Sequence, residues 1–384
     1  MDKRVYLLTI IAFVVGMVEL IIGGLLDLIA ADLNVSLGQA GLLITIFSVI
    51  FAIGAPVLLV ATAKIERKKL TLISLFIFLL GNLIAIFSPS FIVLFISRVV
   101  SAASASLLII LCLTIAANIS DPKYRGRSIG LVSMGVSGSL VLGIPFGLIL
   151  GNLFGWRAPF VLIAVLTLFS MAGVYFLMEK VAPKPQASLR RQLATLKDRK
   201  ILFAHLTTFI FLTGHAVLYT YLTPFVKTTM GLDGTWVSII YLIFGIAAVS
   251  GGGIGGTLSD RFGAKMTTLT TIVIFGIALF ALPYTTFLLP FFLIVMIFWG
   301  MMSWAITPAL QSHLIETSPE TSDIQQSLNN SALHFGIAFG SLIGSVVIEQ
   351  SSVVQNASVG GIFVIIALGT ALISMANEKK RVYI

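Results

Sequence analysis

Long apolar runs alternate with short polar or charged connections along the chain, and the alternation repeats twelve times. The runs cover approximately 5–30, 38–62, 69–88, 91–118, 128–151, 157–178, 201–225, 236–258, 266–285, 288–310, 324–348 and 358–376. Each is bounded by charges, proline or glycine, and each has about the ~20 residues a helix needs to cross the hydrocarbon core of a bilayer. None shows the ten-residue alternation of a barrel strand. A helix satisfies its own backbone polar groups in lipid, so all twelve runs are predicted as transmembrane helices.

Composition strengthens this reading. Of 384 residues, 58% are AVILMFWYC and only 10% are charged, with a mean hydropathy of +1.07. A soluble domain carries roughly 25% charged residues. No stretch is polar enough for an added soluble domain, which argues against an enzyme or a receptor. The single cysteine, Cys112, sits in an apolar run and reads as a small buried hydrophobe. No Cys/His cluster of metal-ligand spacing exists, so no metal is expected. The glycine-rich stretch 251–256 lacks a following Lys-Ser/Thr, so nucleotide hydrolysis has no support. The N-terminal run is too long for a cleavable signal and lacks its small-residue site.

The net charge of +9 is explained by topology rather than by nucleic acid, because the basic residues lie between the apolar runs. With both termini cytoplasmic, 21 of the 24 Lys and Arg fall inside, Lys379, Lys380 and Arg381 among them. Only Arg157 and Lys227 fall outside, and Arg98 lies within a span. That bias predicts cytoplasmic termini in a bacterial cell membrane. The one long polar stretch, 179–200, carries Pro183 and Pro185 and a basic run expected to form a surface helix near anionic lipid. It separates an N-terminal six-helix half, 1–178, from a C-terminal half, 201–384.

The halves repeat. The loop Gly256-Thr-Leu-Ser-Asp260-Arg261-Phe-Gly263-Ala-Lys265 stands 196 residues after Val60-Ala-Thr-Ala-Lys64-Ile-Glu66-Arg67-Lys68-Lys69. The same offset carries Glu19 onto His215. Two six-helix repeats with a midplane site at their interface make a transporter architecture.

The G-x-L-x-D-R-x-G-x-K loop, with Gly256, Asp260, Arg261 and Gly263, resembles the signature loop of the major facilitator superfamily. Arg98 in span four resembles the buried arginine of its proton-driven exporters. Gly143-Ile-Pro145-Phe-Gly147 resembles the span-five motif of the drug:proton antiporters. Val18-Glu19-Leu20-Ile21, Ala63 to Lys68, Trp299-Gly300 and Ser322 to Ser327 are similar to stretches of arabinose-efflux-like permeases, and most to the purine base and nucleoside efflux pumps of bacilli. The resemblance implies a monomer of twelve helices that exchanges a small-molecule substrate for protons, with no cofactor. Two departures stand out: Lys64 replaces the usual Asp of the first signature loop, and Asp27 adds an acid to span one.

Only three charges lie well inside spans: Glu19, Asp27 and Arg98. A charge at the bilayer centre costs roughly 2.5–3.5 kcal/mol on insertion scales, so such groups are functional candidates. Gly16, Glu19, Gly23 and Asp27 share one helical stripe, small and acidic, as a cavity wall would be. At the level of Arg98 a bridge to either acid is open, and so is a purely structural ion pair. Low dielectric favours a neutral acid and a nearby cation favours the carboxylate. A carboxyl there can exchange a proton for substrate. For substrate contact the candidates are Glu19, His215 and Tyr219 in span seven, Trp299 in span ten, and Asn329, Asn330 and His334 in span eleven. Asn330 and His334, four apart, are placed to donate jointly to a heteroaromatic ring or to Glu19. Gly143, Pro145 and Gly147, with Gly336, Gly340 and Gly344, read as gating surfaces built on close packing.

The function these features predict is proton-coupled efflux of small heteroaromatic solutes such as purine bases or nucleosides. The alternative is a multidrug exchanger of lipophilic cations, favoured by Asp27. A sugar exporter or an uncoupled facilitator stands further behind.

Overall fold

The computed structural model describes residues 2–183 and 188–376. The linker residues 184–187, including Pro185, and the basic residues Lys379, Lys380 and Arg381 lie outside the described residues. Twelve helices are long and apolar enough to cross a membrane: Arg4–Leu33, Leu37–Ala61, Arg67–Ile86, Phe91–Ile119, Arg125–Phe154, Ala158–Leu177, Arg199–Tyr219, Gly234–Phe262, Ala264–Thr285, Leu289–Thr317, Pro319–Gln350 and Gln355–Ser374. They are spans one to twelve below. The end of the bundle that carries Asp2 and Ala376 is called the basic end, and the other the far end.

The apolar pattern finds the centres of these helices but not their ends. Span ten runs on to Thr317 through Gln311, Ser312, His313 and Glu316, because polar residues continue a helix once it emerges from the apolar layer. Span seven was expected to reach 225, yet it stops at Tyr219 and a second helix, Leu222–Met230, follows. Pro224 is the reason, since it has no N–H for the carbonyl of Thr220 and its ring crowds that carbonyl. Span five contains a π-helical turn at Ser139–Gly143 just before Pro145. Such a turn absorbs the bond that the proline cannot make.

Small residues let helices approach within each half. On span five, Gly135, Ser139, Gly143, Gly147 and Gly151 recur every four residues and face Thr9, Gly16, Met17, Ile21 and Leu25 of span one. On span eleven, Gly336, Gly340 and Gly344 lie against the backbone of Phe209, Thr213 and Val217 on span seven. Span eleven therefore packs on span seven as span five packs on span one.

One apolar cluster, around Val14, Phe47, Phe78 and Leu108, draws only on residues before 182. A larger one joins both halves, from Ile21, Leu25 and Ile29 to Phe225, Tyr241 and Trp299. Span one enters the shared core at Ile21, about half a turn beyond Glu19, whereas the share of the C-terminal half runs on to Met375 at the basic end. At the basic end a β-carbon added to Gly126 or Gly130 of span five, or to Gly253 of span eight, would meet nothing within 4 Å. Part of the linker forms a short helix, Leu189–Ala194, capped by Ser188 and smaller than its basic run predicts.

Candidate functional site

Glu19 lies half-way along span one, between two glycines of its stripe. Gly16 abuts Ser139 in the π turn of span five, and a β-carbon added to Gly23 would lie 3.8 Å from the hydroxyl of Tyr241 in span eight. At Gly16 a β-carbon would clash with the Ser139 hydroxyl, so span five approaches span one closely just before Glu19. Its side chain keeps 17% of its exposure and faces His334 of span eleven, with Oε1 3.6 Å from Nδ1. His334 stacks on Phe51 of span two, the ring centres 4.0 Å apart. Of the pair Asn330 and His334, only His334 lies in salt-bridge range of Glu19, at a separation too long for a hydrogen bond. Asn329 turns to Thr208 of span seven, whose hydroxyl donates to its amide oxygen at 2.6 Å, and Asn330 is half-buried.

Arg98 is fully buried, but neither span-one acid is its salt-bridge partner. Its Nη1 donates to the carbonyl of Val18 at 2.9 Å and its Nε to Leu43 at 3.5 Å. The guanidinium lies over the ring of Phe47 at 4.1 Å. Its Nη2 is buried without a hydrogen-bond partner among the described residues. A cation is thereby anchored to the backbone beside Glu19 and left with donors to spare.

In the C-terminal half a block of rings packs together. His215 stacks on Tyr219 at 4.9 Å and lies 5.3 Å from Trp299, while Phe244 packs 5.0 Å from Trp299. The helical spacing of His215 and Tyr219 accounts for the first pair. His215 Nδ1, the Tyr219 hydroxyl and Trp299 Nε1 are buried without hydrogen-bond partners among the described residues. Such atoms are rare in folded chains, because each leaves a desolvated polar group unanswered. Together they offer flat apolar faces with unused polar edges.

Asp27 belongs to a different assembly. Its carboxylate pairs with Lys227, which the helix Leu222–Met230 brings over span one. On the same helix the Thr223 hydroxyl donates to the carbonyl of Gly23 at 3.1 Å. Span two closes on span eleven beside them: Ser36 donates to Glu349 at 2.6 Å and Ser341 to the carbonyl of Gly41 at 3.0 Å. Tyr221 fills the notch above Gly41 and donates to the carbonyl of Ser341. All these contacts join the two halves on the far side of Glu19.

The sequence profile of the Major Facilitator Superfamily matches residues 8–341. The chain belongs to the major facilitator superfamily. It is 35% identical to the uncharacterized MFS-type transporter YbcL of Bacillus subtilis (strain 168) over 98% of this chain and 97% of that one. It is 31% identical to YtbD of the same organism over 97% and 95%. Among solved structures it is similar to a bacterial homologue of the human lysosomal transporter Spinster, in inward-facing unoccupied and inward-facing occupied forms. Both give a TM-score of 0.80 at 16% identity over 97% of this chain, and over 98% and 96% of theirs. The likeness establishes the fold. This major facilitator protein is accordingly a secondary transporter and not an enzyme.

The signature residues of this facilitator sit at the basic end. Gly263 joins spans eight and nine as a single residue with φ +83°, a conformation that favours glycine. Asp260 and Arg261 are exposed there, and the guanidinium of Arg261 lies over the neighbouring ring of Phe262. A β-carbon on Gly256 would meet only Pro308, at 3.9 Å. In the first signature loop, where Lys64 replaces the expected acid, Glu66 caps span three. Its carboxylate accepts from the backbone N–H of Lys68 at 2.7 Å, Lys69 at 2.9 Å and Val181 at 2.8 Å. Burial works to raise its pKa, but these bonds prevail and hold it below the ordinary carboxylate range. Among the described residues no group of three or more His, Cys, Asp or Glu is arranged to hold a metal ion.

Sequence reasoning missed several of these residues. Lys227 was counted only as a topology charge, and Phe51 looked like any apolar span residue. His205, whose ring nitrogen lies 2.9 Å from Gln325 in the seam between spans seven and eleven, was not singled out. An acid ahead of an apolar run is a helix-start signal that points to Glu66. No local signal pairs Asp27 with Lys227, since the two are 200 residues apart.

Proposed function

We propose that this transporter is a proton-coupled exporter of neutral, flat heteroaromatic solutes, with Glu19 as the group that exchanges proton for substrate. The observation that carries the reading is Glu19 itself, mid-span and facing His334, beside the buried Arg98. A mid-span carboxyl whose one salt-bridge contact among the described residues is an imidazole 3.6 Å away, too far for a hydrogen bond, is not explained by packing. In its protonated form it is neutral and the site can close. In its ionised form it accepts a hydrogen bond from a ring N–H of the substrate.

The rings of His215, Tyr219 and Trp299 fit a planar solute, and the unpaired donors of Trp299 and Arg98 fit its ring nitrogens or carbonyl oxygens. Asn329, Asn330 and His334 complete the wall on the side of span eleven. Purine bases and their nucleosides are the first candidates, in line with the resemblance to purine efflux pumps within the drug:proton antiporter group. The pairing of Asp27 with Lys227 counts against lipophilic cations, because it removes the charge that favoured them. Anions are disfavoured by Glu19: like charges 4 Å apart cost about 4 kcal/mol at an effective dielectric of 20, roughly a thousandfold in affinity.

The proposal extends to the frame. The segments 1–178 and 201–384 act as two rocking halves joined by 179–200, with both termini cytoplasmic in a bacterial cell membrane and the monomer as the working unit. Gly143, Pro145 and Gly147 serve as the flexing surface of span five. Gly256, Asp260, Arg261 and Gly263 form the contact that changes at the basic end.

Proteoliposome uptake with and without an imposed pH gradient tests the coupling. Competition among hypoxanthine, a quaternary ammonium dye and a dicarboxylate tests the substrate. Stimulation by the gradient and displacement by hypoxanthine are expected. Displacement by the dye alone would move the assignment to multidrug export, and by the dicarboxylate alone would overturn the charge argument.

A further inference from the structure

We infer that the coupling proton is held by Glu19 and His334 as a pair, so that the movement of the halves sets the site's proton affinity. The inference rests on the proton-coupled reading above and adds the element that ties the proton to the conformational change.

The two groups come from opposite halves, Glu19 from span one and His334 from span eleven. The gap of 3.6 Å exceeds a normal hydrogen bond, yet no other residue stands in a salt bridge with either group among the described residues. The imidazole is not free to swing, because it stacks on Phe51 at 4.0 Å and keeps only 3% of its exposure. The carboxyl stands one turn from Gly16, where the backbone of span one is closely packed against Ser139 of span five. Each partner is thus fixed to its surroundings, and their separation is set by how spans one, two and eleven meet. Span two is tied to span eleven through Ser331 and the carbonyl of Ala52 at 2.9 Å, and through Ser341 and Gly41. A rocking motion that opens the far side must break these contacts and move His334 relative to Glu19.

The other charged and titratable groups around the pair are few. Arg98 from span four is anchored to the carbonyls of Val18 and Leu43. His215 and Tyr219 from span seven stack on one another, and Tyr241 from span eight is bonded to Thr223. Asp27 is bound to Lys227. None of these spans the Glu19–His334 gap.

The proton balance is simple. The unprotonated pair carries one negative charge, and uptake of one proton from water makes it neutral, with an N–H donating to the carboxylate or an O–H to the imidazole. When the halves part, that shared hydrogen bond breaks and the proton returns to water. A substrate N–H can then take the place of the imidazole on Glu19. One proton and one neutral solute would therefore move in opposite directions per cycle, the imposed gradient setting which way each goes.

The test is the pH dependence of substrate exchange by the full chain in liposomes, with hypoxanthine as probe and a trapped pH dye reporting proton movement. Wild type, E19Q, D27N and H334Q are compared. H334Q should shift the pH of half-maximal exchange by at least one unit, a tenfold change in proton concentration, beyond any loss of rate. D27N should slow exchange without moving that midpoint. A merely structural role for His334 would lower the rate equally at every pH, and an unmoved midpoint in H334Q would overturn the inference while wild-type proton flux still stood. Absence of substrate-dependent proton flux in wild type would instead overturn the coupled reading itself. If H334Q does not reach the membrane folded, H334N supplies the same comparison and the same outcomes apply to it.

Discussion

Glu19 and Asp27 stand eight residues apart on one stripe of one helix, and their surroundings are opposite in kind. Around Glu19 the chain gathers groups without full partners: an imidazole 3.6 Å away, a guanidinium with an unused donor, and rings whose polar edges are unanswered. Around Asp27 the chain gathers partnered groups: Lys227, Thr223 on the backbone, and the Ser36–Glu349 and Ser341–Gly41 bonds nearby. The first region is prepared to bind something else. The second is a closed seam. On the proposed reading, two carboxyls that the sequence places on one stripe take different parts, one at the transport site and one at a gate that opens and closes around it.

The largest effect is expected from removing the acid of the first region. Glu19→Gln should lower gradient-driven export by at least a hundredfold while leaving membrane insertion and fold intact, as measured by proteoliposome flux and by monodispersity on size exclusion. Undiminished gradient-driven export by that variant would end the distinction between the two acids.

Breaking the seam should do less. Asp27→Asn or Lys227→Met should change the turnover rate about fivefold, since a partly exposed ion pair is worth roughly 0–1 kcal/mol. The exchanged pair, Asp27→Lys with Lys227→Asp, should recover most of that rate. A loss as large as that of Glu19→Gln, unrelieved by the exchange, would place Asp27 at the transport site after all.

At the basic end, Asp260→Asn should slow turnover two- to threefold and leave substrate affinity unchanged, as read by equilibrium binding. Asp260 is exposed, and under the proposed rocking motion an acid there would gain helix-terminus contacts when the basic end closes. Normal turnover with lost affinity would contradict that role.

The smallest effect concerns the linker. Glu66 has its pKa lowered in the folded chain, so its contribution is present above the unfolded value of about 4.3 and is lost as pH falls through the folded value. Glu66→Gln should therefore loosen Val181 and raise proteolysis of the linker modestly at neutral pH. Below the ordinary carboxylate range the variant and wild type should converge, as limited proteolysis across pH would record.

The sequence states the fold almost completely, because a membrane span is declared by its own apolar length. The helix ends were less legible, as at Thr317, where a helix continues past its apolar part, and at Thr220, where Pro224 breaks one that hydropathy treats as continuous. The candidate site was legible as a set of residue types on stripes: Glu19 between glycines, His215 with Tyr219, His334 in a polar run. Periodicity says which residues share a face but not what that face meets. It left Arg98 open to either acid, where the structure anchors it to carbonyls of Val18 and Leu43. It also gave Lys227, Phe51 and Thr223 no role, because each acquires one only through a residue on a distant span.

The most direct test of the central distinction is the proton-to-substrate ratio, measured with a trapped pH dye and labelled hypoxanthine in the same liposomes for wild type, Glu19→Gln and Asp27→Asn. The account predicts that Asp27→Asn moves fewer protons only in proportion to its slower transport, so that the ratio is unchanged, while Glu19→Gln moves none with its substrate. A ratio lost in Asp27→Asn and kept in Glu19→Gln would contradict it.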